Sequence, residues 1–359
     1  MILVSPRRNR ASRTSVLGCI LLTVLLLVGC RSTDSPTSSS TPPTETVQEV
    51  APRPLPLASP LDRPEIEISG LSWYGDTLVV LPQYPSRASG SHERRVYGLS
   101  RSALRKAVAD TSAAPLDPIS IPLETQGIRE HASAYEGCEA IAFDGRDVFL
   151  LLEGTADGRG MVGHLLRGRV APGLQRIRVQ GTEERRLPQQ AQLPNMSYES
   201  LAIRGDTVIT IFEANGARVN ATPRAYRFDP TLQALGGVPF PTLEYRVTDA
   251  TALAPNGQFW ALNYFYPGDR DILHPAPDSL ALRHGQGATH QASDVVERLV
   301  QYRYTDEGIR RTDRAPIWFE LDGGTGRNWE GLARFRDGFL VATDRFPRTI
   351  LAYVPASDQ

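Results

Sequence analysis

A polar or small residue, two apolar ones, a polar turn and an apolar run ending on a polar residue form a pattern that recurs five times. The copies begin at Ser69-Gly70-Leu71, Glu139-Ala140-Ile141, Glu199-Ser200-Leu201, Thr251-Ala252-Leu253 and Glu330-Gly331-Leu332. Their apolar runs end at Gln83, Glu153, Glu213, Asn263 and Asp344. In four copies the two polar positions are fourteen residues apart; the fourth reads as two residues shorter, with the deletion in Pro255-Asn256-Gly257. A repeat of this kind points to one supersecondary unit used several times.

The copy at Glu199 shows what the unit contains. Leu201-Ala202-Ile203 reads as a short strand, Gly205-Asp206 as a turn, and Thr207–Phe212 as a β-branched, aromatic central strand. Ala225–Phe228 supplies a third strand, and the alternation of Leu243-Glu244-Tyr245-Arg246-Val247 predicts an exposed fourth. The last copy ends after its third strand at Ile350–Val354, so a segment within 54–67 is expected to complete it. Four antiparallel strands per unit predict an all-β fold, a β-propeller of five blades closed by an N-terminal strand, with six blades as the alternative. A short helix is expected over Ser102–Asp110, and Tyr84–Arg95 and Pro267–Val295 read as insertions.

The N-terminal region departs from this pattern. Arg7, Arg8, Arg10 and Arg13 precede an apolar run that ends Leu27-Val28-Gly29-Cys30. Residues 1–29 therefore read as a signal peptide, whose apolar run Val16–Val28 is too short for a membrane span of about 20 residues. The ending resembles a bacterial lipobox, which makes Cys30 a lipidation site and the lipid bilayer a partner. Arg31 lacks the acidic character of an inner-membrane retention signal, which directs the expectation to the outer membrane of the cell envelope. Residues 30–60 are rich in Ser, Thr and Pro and read as a disordered tether; residues 61–359 form the folded body, expected as a monomer.

The chain has 39 basic and 40 acidic residues. Removing the four arginines of 1–29 leaves 35 basic and 40 acidic, and Lys106 is the sole lysine. No basic stripe with interleaved aromatics is present, which argues against nucleic acid. Cys138 is the only cysteine beyond Cys30, so no disulfide can form within the body; it reads as a buried thiol. His131 reads as a surface residue, and His274, His284 and His290 match no compact zinc spacing. No nucleophile elbow, phosphate-cradling loop or dinucleotide fingerprint appears, so no organic cofactor is expected.

Matching strand ends in such a fold converge on one axis. The converging set is Glu139, Glu199, Glu330, Glu153, Glu213 and Asp344, with Ser69, Gln83, Thr251 and Asn263. Several carboxylates at one place raise each other's pKa unless a charge offsets them. A Ca²⁺ or another divalent cation held by the six acids is one solution; arginine is the other, with Arg129, Arg327, Arg345 and Arg348 flanking the motifs. The glutamates could equally serve assembly by accepting backbone hydrogen bonds from a neighbouring repeat.

Asp249-Ala250-Thr251-Ala252-Leu253-Ala254, Asn328-Trp329-Glu330-Gly331-Leu332-Ala333 and Asp337–Asp344 resemble the bacterial esterase-like phytase domain family, as do Tyr198–Ala202 and Phe212-Glu213. The resemblance spans about 65–355. It implies a propeller and a metal-dependent phosphoester or ester hydrolase. Glu199 or Glu330 would then orient water, and Arg327 or Arg345 would steady developing charge. Ser69, Gln83 and Asn263 stand where acids would be expected. The alternative is a non-catalytic propeller with a structural cation that binds a small molecule, a glycan or an envelope protein.

Overall fold

The computed structural model describes residues 47–63, 66–88, 93–126, 135–155 and 160–356. The expected signal peptide, Cys30 and most of the tether lie outside the described residues, as do Arg129 and His131. Among the described residues no helix is long and apolar enough to cross a membrane.

Two short strands, β1 (Glu49–Val50) and β2 (Arg53–Leu55), precede the first repeat. The first repeat is β3 (Ile68–Tyr74), β4 (Thr77–Pro82), β5 (Arg95–Ser100) and β6 (Ile119–Gln126). The second is β7 (Tyr135–Asp144), β8 (Asp147–Thr155), β9 (Met161–Val170) and β10 (Ile177–Arg186). The third is β11 (Tyr198–Arg204), β12 (Thr207–Phe212), β13 (Arg224–Phe228) and β14 (Ala234–Pro239). The fourth is β15 (Arg246–Ala250), β16 (Gln258–Phe265), β17 (Val296–Thr305), β18 (Gly308–Arg311) and β19 (Ile317–Phe319); the fifth is β20 (Trp329–Phe335), β21 (Gly338–Thr343) and β22 (Leu351–Pro355).

These strands correct the expected all-β propeller of five separate blades, and the six-bladed alternative with it. They form four sheets, of eight, four, six and four strands. Strand accounts for 51% and helix for 11%, a mixed α/β body, because the insertions fold as helices. The eight-stranded sheet runs β3-β4-β5-β6-β10-β9-β8-β7. It arises because the outer strands of two repeats, β6 and β10, pair in parallel, Ile177 opposite Leu123 through Gln180 opposite Gln126. Its end strands β3 and β7 pack on each other, so the sheet nearly closes on itself. A repeat pattern specifies each hairpin but says nothing about which outer edges will pair.

The hairpins follow from local chemistry. Gly75, Gly145 and Gly205 open the two-residue turns of the first three repeats at φ of 58°, 54° and 51°, where a side chain is strained. Arg336 takes the same conformation in the fifth, at φ 55°. The helix Arg101–Ala109 sits where Ser102–Asp110 was expected; Ser100 Oγ caps it by accepting from Ala103 N, and Leu104 and Ala107 are its buried face. The insertion after β16 adds Arg270–Leu273, Ser279–His284 and Ala288–Gln291.

The apolar core is divided into five clusters at the contacts between repeats. The first strands β3, β7, β11, β15 and β20 touch in succession, and β20 returns to β3. Trp73 on β3 closes that seam, donating from Nε1 to Arg334 O at 2.9 Å and stacking on Phe335. At the chain's start, β2 pairs antiparallel with β22, Arg53 opposite Tyr353, and β1 pairs in parallel with β19. Glu49 fastens β1: it accepts from Thr289 N, Thr289 Oγ1 and His290 N and bonds His290 Nδ1 at 2.6 Å. Glu297 N donates to His290 Nε2, which fixes the neutral ring with its proton on Nδ1.

Truncating Glu49 leaves those donors unmatched, and hydrogen bonds to a charged group are worth about 1.5–3 kcal/mol each. Glu49→Ala is expected to cost about 2–3 kcal/mol, read as a lower urea midpoint with an unchanged m-value.

Candidate functional site

Four of the recurring polar residues occupy one kind of backbone irregularity. Ser69, Glu139, Glu199 and Glu330 are each the extra residue where the register shifts between the first and second strands. Such a bulge bends the strand and re-aims its side chain. In the fourth repeat the shift lies between Val247 and Ala250. Thr251, the expected motif residue, stands beyond β15, where its Oγ1 accepts from Trp260 N at 3.1 Å. Asp249 is the counterpart, and it restores the spacing of fourteen residues to Asn263.

Asp249 serves assembly. Its buried carboxylate accepts from Ala250 N at 2.7 Å and from Leu332 N on β20 at 2.6 Å. Burial pushes its pKa well above the usual range, while backbone donors from Ala250, Leu332 and Leu71 oppose the rise.

The glutamates meet around Arg246, the first residue of β15. Its Nε bonds Glu213 Oε1, and one terminal nitrogen reaches Glu199 Oε1 at 3.3 Å and Glu330 Oε1 at 3.5 Å. The other donates to Asn328 Oδ1 at 3.3 Å, and Asn328 Nδ2 donates to Glu330 Oε1 at 2.5 Å. Asn263 holds the Arg246 backbone: its Nδ2 donates to Glu244 O and Arg246 O at 3.0 Å, while its Oδ1 accepts from Arg298. The Tyr264 ring lies 5.8 Å from the guanidinium carbon. Burial alone would lower the pKa of Arg246, but the charges of Glu213, Glu199 and Glu330 carry it well above its ordinary value.

One arginine does not neutralise every carboxyl. Burial raises Glu139 to about 7, with a Gln83 hydrogen bond opposing and the Glu213 charge adding to the rise. Glu153, Glu199 and Glu330 are pushed well above the carboxylate range, by burial first and then by one another. Glu213 is also raised by burial, but Arg246 and a hydrogen bond from Glu199 oppose the rise. The rise is thus the most opposed at Glu213, where Arg246 and Glu199 both act against it, and Glu199 is held well above the carboxylate range beside it. Glu139 Oε1 and Glu153 Oε1 have no partner, and Glu199 Oε2 and Glu213 Oε2 receive no N–H from any described residue. The cluster has a closed and an open side: the Glu213 side chain is 0% exposed, those of Glu199, Glu330 and Arg246 10% each.

Other expected site residues lie apart. Arg327 is bound to Glu297, its terminal nitrogen 2.8 Å from Oε2, and to Glu320 O at 2.6 Å. Trp329 Nε1 donates to the same Glu297 oxygen, so this arginine is held within the fold. Asp344 is half-buried and accepts from Phe346 N, though its charge raises Glu330. Arg345 pairs with Glu67 at 3.4 Å, and Arg348 is exposed.

The charge balance corrects the metal-dependent hydrolase and the module built on a structural cation. Arg246 occupies the cationic position, and among the described residues no group of His, Cys, Asp or Glu is arranged to hold a metal ion. The propeller part of the description as a membrane-anchored propeller lipoprotein is corrected as well, to a mixed α/β body, while the segment expected to carry the lipid anchor lies outside the described residues.

No known family and no curated protein matches the chain. Solved structures that resemble it include a glycoside hydrolase of the mannoside phosphorylase group that targets beta-1,2 mannosidic linkages in Candida mannan, at 9% identity, 87% of this chain, 95% of that one and a TM-score of 0.47. A putative glycoside hydrolase from Parabacteroides distasonis is 12% identical over 88% and 95%, with a TM-score of 0.43. The soluble aldose sugar dehydrogenase of Escherichia coli is 11% identical over 82% and 97%, with a TM-score of 0.42. Likeness at this level carries no functional argument. The expected membership of the esterase-like phytase family is corrected, since no family model matches the chain.

Arg246→Met would strand buried carboxylates, a loss of about 3–5 kcal/mol for a broken buried pair. The loss is expected in full at pH 8 and reduced at pH 5, where the carboxyls take up protons; urea melts at both pH values read it. For Glu139 the folded pKa lies above the ordinary 4.5, so its stabilisation is full below 4.5 and is lost as pH rises through about 7. At about 1.4 kcal/mol per unit that is about 3 kcal/mol. Glu139→Gln is expected to flatten this part of the stability–pH curve.

Proposed function

We propose that the open side of the Arg246 cluster binds a neutral, polyhydroxylated ligand and catalyses acid–base cleavage of a glycosidic bond without a metal. The observation that carries this reading is the set of buried carboxyl oxygens without donors among the described residues, beside coupled carboxyls that burial pushes above the usual range. A protonated carboxyl needs an acceptor and an ionised one needs a donor. A hydroxyl is both, and it brings no charge into a place where Arg246 already supplies the cation.

Glu199 and Glu330 border the open side. Burial and the Glu213 charge favour a proton on Glu199, and in this reading it is the general acid for the leaving oxygen. Glu330 accepts from Arg246 and Asn328; the Arg246 charge opposes the rise that burial imposes, and in this reading its ionised form takes the proton from attacking water. Arg246 holds both side chains in place through the same terminal nitrogen.

The test is turnover of a panel of nitrophenyl glycosides by the full chain, with and without a chelator. Turnover unaffected by the chelator is expected, reduced about 10²–10⁴-fold in Glu199→Gln and Glu330→Gln, and falling as pH rises and Glu199 loses its proton. Saturation-transfer NMR with the parent sugars checks binding separately. Absence of both turnover and sugar binding in a folded protein would overturn the reading, as would full activity in Glu199→Gln.

A further inference from the structure

In the middle of the eight-stranded sheet, where β10 lies between β6 and β9, five arginines surround a pocket of about 280 Å³. Arg146 enters from the turn between β7 and β8, Arg167 and Arg169 from β9, and Arg176 and Arg178 from the start of β10; Glu183 is the acid in the wall. We propose that this pocket is a binding site for a phosphate or sulfate group, separate from the Arg246 cluster.

The strand register supplies the main argument. Glu124, Arg178, Arg169 and Asp147 are successive cross-strand partners on β6, β10, β9 and β8. Partners in one such row project from the same face, and like charges directly opposite each other are destabilising. Arg178 and Arg169 are such a pair. Each turns away to the acid at its own end of the row: Arg178 Nε donates to Glu124 at 2.9 Å, and Arg169 donates to Asp147 at 2.6 Å. Those acids are shared, since Arg176 also bonds Glu124 at 3.1 Å and Arg167 also bonds Asp147 at 3.0 Å.

Acids are too few to balance the group. Five guanidiniums face Asp147, Glu124 and Glu183, and Glu183 stands 3.9 Å from Arg167. With Asp229 also within electrostatic reach of Arg167, the arginines still outnumber the acids, which suits an anion. Arg146 gives its Nε to Val170 O at 3.1 Å, and no bond from its terminal nitrogens is seen among the described residues. Planar guanidinium forks suit the oxygens of phosphate and sulfate, which can bridge Arg169 and Arg178 and relieve their opposition. The side chains of Arg169, Arg176 and Arg178 are about half exposed, so an anion can reach them from solvent.

Calorimetric titration of the full chain with inorganic phosphate and inorganic sulfate is the test. Saturable binding of at least one anion is expected, weakening with added salt and at least tenfold weaker in the Arg146→Gln, Arg178→Gln double variant at an unchanged melting temperature. A parallel arm measures co-sedimentation with phosphatidylcholine vesicles, with and without phosphatidylglycerol. Binding in that arm alone, lost in the same variant, identifies a lipid headgroup as the source of the phosphate, whereas binding of the free ion identifies a soluble one. Arg310→Gln with Arg336→Gln removes equal charge from exposed positions elsewhere. The proposal is overturned if neither arm shows binding, or if this control weakens binding as much as the pocket variant. Glycosidase activity is read separately, so either proposal can fail without the other.

Discussion

Arg246 sits buried with Glu213, Glu199 and Glu330 around its guanidinium, and an arrangement of the first strands that separated these residues would leave a charge uncompensated inside the protein. The three acids come from the third and fifth repeats and the base from the fourth. A mutual requirement of this sort fixes which chain segments must be neighbours, whereas apolar contacts between similar repeats leave more freedom. The surplus of carboxyls over the arginine then raises their pKa values, because burial opposes further charge there.

Assembly and chemistry are divided between equivalent positions. Glu139, Glu199 and Glu330 sit on bulges and point into the cluster, while Asp249, at the corresponding place, accepts backbone N–H groups from its neighbours. The same side-chain class thus takes opposite roles according to what lies beside it. Asp249 has the Leu332 amide within reach; Glu199 has another carboxyl and a guanidinium.

Much of the local structure was legible in the sequence. Gly75, Gly145 and Gly205 mark hairpin turns, and Glu139, Glu199 and Glu330 stand out as acids at the head of apolar strands. Arg246 was not legible, because Leu243–Val247 alternates like an exposed outer strand although the residue is buried at the start of β15. The apparent two-residue deletion in the fourth copy was the available signal. Shifting that copy from Thr251 to Asp249 removes it and places Arg246 three residues upstream of a bulge. The parallel union of β6 with β10 could not be read either, since it depends on two edges reaching each other in space. Nor could the role of Arg327, whose buried partner Glu297 lies on β17, thirty residues away.

The strands before the first repeat carry a kinetic consequence. β2 completes the sheet of β22, and β1 joins the sheet of β17 and β19, so residues 49–55 finish two sheets whose other strands come from the last third of the chain. Loop closure over nearly three hundred residues must precede these pairings. During synthesis the edge of β1 would stay open until β19 appeared and that of β2 until β22 appeared, so the ring of contacts closes only when these late strands are made.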